Sequence, residues 1–219
     1  MDKIIINPVK QNARVKQYLG WFIAVIFPFA VYGMMEATKM PVIASIVYWA
    51  VCGIMLRYTM EKKLPFFNPQ ISKVKKEIIL IVIATIICAY LYMIGAGSVE
   101  MPPKELYLNA FLFAFFNGCF EHLVWINIFD LAGCKYKLGG FLATLIYILL
   151  IQFMFWGKFM PMPSGNLTLF VLSQALTIII PFVMYIKTRD ITIWSIHRII
   201  FNLLSVFFAG FGVSTFLHL

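Results

Sequence analysis

The chain has 219 residues, is 62% hydrophobic and 12% charged, and has a mean hydropathy of +0.90. A soluble domain of this length has too little interior to hide that much apolar surface, so the composition specifies an integral membrane protein, read as one domain over 1–219. The net charge of +9 would point to a polyanion in a soluble protein; here the basic residues fall in short loops, where they set orientation and favour anionic headgroups on the inner face, and no nucleic-acid partner is expected.

Seven apolar stretches follow in chain order, at about 19–37, 41–57, 78–96, 106–131, 139–157, 167–186 and 191–217. Each reaches or approaches the roughly 20 residues that a hydrocarbon core of about 30 Å requires, and only the second is marginal. The first lacks a small-residue cleavage site and leads straight into the second, so it reads as a retained span. Charged and Pro-containing breaks separate the spans, notably 61–77 with Pro65 and Pro69, and 158–166 with Pro161 and Pro163. The expected fold is all-α, a polytopic transmembrane helical bundle of about seven spans.

Threading seven spans from an internal amino terminus puts fourteen of the 18 Lys and Arg residues, Arg57 among them, in inner loops. Only Lys39, Lys104 and Lys158 fall outside, and Arg198 lies within the last span. That bias predicts the amino terminus inside and the carboxyl terminus outside. Cys52, Cys88, Cys119 and Cys134 show no CxxC or Cys/His spacing, which argues against a zinc site or a disulfide framework. No cofactor is required by the sequence and its identity stays open. Asn166-Leu167-Thr168 fits a glycosylation sequon on the outer side, a triplet common by chance.

Within this apolar chain Glu121 stands out, because a carboxylate at mid-bilayer costs about 2.5–3.5 kcal/mol. At 1.5 Å per residue from the inner ends, Glu121 is about 15 Å deep, Gln152 about 20 Å, Asn202 about 18 Å and Arg198 about 12 Å. On the fourth span Asn117, Glu121 and Trp125 recur at intervals of four, with Ile128 completing the stripe; on the seventh, Arg198 and Asn202 are four apart. Arg198 is expected to pair with Glu121 or with Asp130, the latter read as interfacial.

The stretch from Phe116 to Asn127, with Asn117, Glu121, His122 and Trp125, resembles the first motif of the CPBP family, the CAAX-processing and bacteriocin-processing intramembrane proteases. That motif has two adjacent glutamates, then an arginine after three further residues, often with an Asn four before the first Glu and an aromatic before the Arg. Asn117, Glu121 and Trp125 match it; His122 stands for the second Glu and Ile126 for the Arg. The segment from Tyr185 to Asn202 is similar to the last motif, with Arg198 at the His position and Asn202 at the Asn, while His197 falls one residue early. For the middle motif Tyr147 supplies the aromatic, but Ile151 occupies the His position, with Gln152 beside it. The resemblance covers about 110–210 and implies a base at Glu121 that activates water, with Asn202 and neighbouring groups assisting.

The site expected from residues and resemblance together has Glu121, Asn202 and His122 as catalytic groups, lined by Asn117, Trp125, Gln152, His197 and Arg198, with no metal. The resemblance implies an atypical or catalytically weak intramembrane protease homologue, acting on a membrane protein or peptide. Two other readings stand beside it: a scaffold or regulator of another membrane protein, with Glu121 as a structural carboxylate, and a small transporter or channel using Glu121 as an ion or proton site. For His122 and His197 the plainer reading is an interior histidine whose hydrogen bonds are satisfied. The expected location is a bacterial cell membrane.

Overall fold

A computed structural model of the protein describes residues 8–95, 104, 107–156 and 167–208. Among these residues there is no strand, and seven helices cover the apolar stretches. They are α1 (Pro8–Thr38), α2 (Pro41–Glu61), α3 (Lys75–Gly95), α4 (Tyr107–Ala132), α5 (Lys137–Ile151, extended by a π turn, Gln152–Trp156), α6 (Leu167–Thr188) and α7 (Thr192–Phe208). Helix is the expected outcome where no water can satisfy backbone N–H and C=O groups, because it closes every bond within the segment. Among the described residues four stretches, Ala13–Thr38, Pro41–Glu61, Ala110–Ala132 and Lys137–Phe155, are long and apolar enough to cross a membrane. Glu100, Glu105, Lys158 and Asn166, expected in outer loops, and the end of the last stretch from 209 lie outside the described residues.

The chain divides into two compact units, one of Met1–Met60 with Leu123–Lys158, the other of Glu61–His122 with Phe159–Leu219. Helix α4 contributes to both, changing unit after His122.

In the first unit α1 packs on α2 and α5. The α1–α2 turn is short because Lys39 takes a left-handed φ of 56° and donates its N–H to Met35 O at 2.8 Å, while Pro41 opens the next helix after an extended Met40. The middle of α2, Tyr48–Met55, is wound as a π-helix. There Asn127 of α4 donates through Nδ2 to Cys52 O at 2.7 Å and Gly53 O at 2.8 Å, holding two carbonyls of the π stretch. Helix α2 then continues to Glu61, four residues beyond the expected end, and this corrects the position of Arg57. Expected in an inner loop, Arg57 is buried and pairs with Asp130 of α4, its Nη1 2.8 Å from Oδ2.

In the second unit α3 packs on α6 and α7. Helices α4 and α7 cross closely at Gly118, where a Cβ would stand 2.8 Å from the backbone N of Ile199 and 2.9 Å from its Cα. The α6–α7 turn is built on Arg189, at φ 57°, and on Asp190, whose Oδ1 accepts the Thr192 N–H at 2.8 Å. The segment before α3 is clasped to this turn: Ile191 N donates to Pro65 O at 2.8 Å, Phe67 N to Thr192 Oγ1 at 2.7 Å and Asn68 N to Asp190 Oδ2 at 2.9 Å. An ion pair between Lys187 and Glu77 joins the ends of α6 and α3.

Candidate functional site

The polar residues of the second unit meet because α4 and α7 approach so closely at Gly118 and Ile199. With the axes drawn together, side chains as short as Ser and Asn reach the opposite helix. On α4, Asn117 and Glu121 lie one turn apart, and Asn117 Nδ2 donates to Glu121 Oε2 at 3.2 Å. From α7, Arg198 Nη2 lies 3.4 Å from the same Oε2. Glu121 is 1% exposed and Arg198 5%, so neither charge is hydrated and each depends on the protein for compensation. Arg198 also lies over the Phe201 ring, 5.6 Å from its centroid.

Of the two partners expected for Arg198, the structure selects Glu121. Asn202 lies on the same face of α7 and donates to Ala114 O of α4 at 3.4 Å. Asn202 thus fastens the α4 backbone one turn before Asn117. Glu121 and Asn202 are both buried on the α4–α7 contact.

His122 follows Glu121 directly, about 100° further round the helix. It nonetheless meets the same helix: Nε2 is 2.9 Å from Ser195 Oγ, and the ring stacks on Trp194 with centroids 4.9 Å apart. Ser195 Oγ also lies 2.9 Å from Ile191 O, and with its proton given to that carbonyl it accepts from His122. A serine nucleophile needs the opposite polarity, with the imidazole accepting the hydroxyl proton. The pair is wired as a structural contact.

His197 repeats the pattern on another face of α7. Its Nε2 lies 2.7 Å from Thr85 Oγ1 of α3, and Thr85 donates to Ile81 O at 2.7 Å. Both histidines therefore end on hydroxyls already committed to the carbonyl four residues back. Nδ1 of each is buried and finds no hydrogen-bond partner among the described residues, as does Asn117 Oδ1.

Trp125 and Gln152 belong to the first unit. Trp125 is fully buried and its carbonyl accepts a bond from Thr144 Oγ1 of α5 at 3.3 Å; Gln152 begins the π turn that ends α5 and is half-buried. Ser195 was missed in the sequence reading, although it lies three residues before Arg198 and extends the Arg198–Asn202 stripe by one turn. Thr85, isolated in an apolar run, carried no comparable signal. Among the described residues, no three His, Cys, Asp or Glu side chains gather as a metal-ligand set. Compared with known proteins, the chain matches no family model, no curated protein and no solved structure.

Proposed function

We propose that this is a seven-span membrane protein of CPBP-like design in which the catalytic base position has become structural. Any proteolytic activity is weak and does not depend on Glu121, and its work is to bind another membrane protein or a membrane-inserted peptide. The observation that carries this reading is the shared occupancy of Glu121 Oε2 by Arg198 at 3.4 Å and Asn117 at 3.2 Å. A general base must hold water within hydrogen-bond reach and accept its proton. Arg198 stands where the resemblance calls for a histidine, and a guanidinium can neither take a proton nor ligate a metal at neutral pH. The hydroxyl-bound Nε2 atoms of His122 and His197 are committed elsewhere, which supports the same reading.

The test is a peptide-cleavage assay in lipid vesicles, with the wild-type chain beside Glu121→Gln. The expected result is a wild-type rate no higher than that of the variant. A wild-type rate that exceeds background and disappears in Glu121→Gln, with the variant still folded, overturns the proposal in favour of catalysis.

The proposed topology, with the amino terminus inside and the carboxyl terminus outside, is tested by cysteine labelling. Cysteines placed in the 62–76 and 158–166 loops should be reached from opposite sides of the membrane. Labelling of both from one side rules out the seven-span arrangement.

A further inference from the structure

We propose that the 62–76 segment, clasped to the α6–α7 turn, is a binding site for a phospholipid with an anionic headgroup, with Phe67 as its apolar wedge. Phe67 is 90% exposed and has φ 67°. A left-handed backbone is unfavourable for an aromatic residue. Among the described residues, the other three non-glycine positions with positive φ are Lys39, Lys62 and Arg189. Each follows the last residue of a helix, where a left-handed residue normally closes the final turn. Phe67 follows no helix. Its conformation is held by the clasp, in which Phe67 N donates to Thr192 Oγ1, Asn68 N to Asp190 Oδ2, and Pro65 O accepts from Ile191 N. Three hydrogen bonds thus hold a phenyl ring outward, with Phe66 as its ring neighbour at 6.0 Å between centroids. A strained, exposed residue of this kind points to a function outside the fold.

The surroundings of Phe67 identify the partner. Leu64 is 39% exposed and Ile71 54%, so the segment presents three apolar side chains. Lys63, Lys73, Lys75 and Lys76 are exposed on the same segment. Of the adjacent carboxylates, Glu77 is paired with Lys187 and also feels the charge of Lys76, and Asp190 accepts backbone N–H groups of Asn68 and Thr192. Glu61 precedes the segment, so the lysines outnumber the acids around Phe67. Apolar side chains among lysines, at the ends of apolar helices, match the boundary between headgroups and acyl chains. The lysine stems lie along apolar surface while their ammonium groups reach phosphate. A free phosphate ion would use the charges but leave the exposed ring without a partner, so the site is assigned to lipid. This inference is independent of the chemistry at Glu121.

The experiment places the full chain carrying Phe67→Trp in phosphatidylcholine nanodiscs that contain either brominated phosphatidylglycerol or brominated phosphatidylcholine at equal mole fraction. The fluorescence of the added indole is read by difference from the wild-type chain. Quenching roughly two-fold greater with the brominated anionic lipid is expected, and the excess should vanish when Lys63, Lys73, Lys75 and Lys76 are changed to Gln. An unquenched indole overturns insertion. Equal quenching by both lipids, or a preference that survives the four Gln substitutions, overturns the assignment to anionic headgroups.

Discussion

Among the described residues each unit holds a buried arginine–carboxylate pair, and the two are built differently. In the first unit Arg57 Nη1 lies 2.8 Å from Asp130 Oδ2, and the Asp130 side chain keeps 10% of its surface exposed, two residues before the end of α4. In the second, Arg198 Nη2 stands 3.4 Å from Glu121 Oε2, the Glu121 side chain is 1% exposed, and Asn117 shares the same oxygen. The shallower pair has the tight, charge-assisted geometry and some access to water. The deeper pair is looser and recruits a neutral amide. A carboxylate with so little exposed surface must find its donors within the protein, and Asn117 and Arg198 are two groups that meet Glu121 there.

This contrast breaks first at the deeper pair. Arg198→Leu should lower stability by about 3–5 kcal/mol, because it leaves Glu121 buried without its cation. Combining it with Glu121→Gln should recover roughly half of that loss, since both charges then disappear together. Thermal unfolding in detergent measures both; strictly additive losses would show that the two residues are not coupled. Asp130→Asn should cost less, about 1.5–3 kcal/mol, because the partly exposed end of the pair can draw on water. A larger loss for Asp130→Asn than for Arg198→Leu would reverse the comparison.

The α4–α7 crossing sharpens it. Gly118→Ala puts a Cβ against the Ile199 backbone, and the cost of such overpacking is about 1–3 kcal/mol. Ile199 adjoins Arg198, so this loss should not add to that of Arg198→Leu. Gly33 of α1 is the control: a Cβ there meets nothing within 4 Å, so Gly33→Ala should be stabilising, by up to about 1 kcal/mol from helix propensity.

The smallest effect belongs to the surface pair of Glu77 and Lys187. The Lys187 ammonium holds the Glu77 carboxyl below its ordinary value of 4.5. A depressed carboxylate stabilises the fold fully above that ordinary value, and the contribution is lost as pH falls through the lowered one. Lys187 is 46% exposed, so solvent screening limits the effect to under about 1 kcal/mol. Glu77→Gln should therefore unfold at a slightly lower temperature than wild type at pH 7, with the difference closing in acid. A gap that persists or widens below the carboxylate range would assign the effect to something other than this pair.

Hydropathy alone determined that this chain is helical and roughly where its helices lie, because a helix satisfies the backbone of a long apolar segment within the segment itself. Periodicity also placed Arg198 and Asn202 on one face of α7. Composition could not decide which acid Arg198 meets, since Glu121 and Asp130 were both open to it; the α4–α7 approach at Gly118 settled that, and Arg57 took Asp130. Arg57 itself read as a loop charge until the π-wound α2 ran past its expected end. The His122 contact was equally illegible. A helical wheel separates it from Glu121, yet α4 is buried broadly enough that consecutive residues both reach α7. Such pairings rest on interaxial distance and on which small residue permits it, and a single chain's periodicity carries neither.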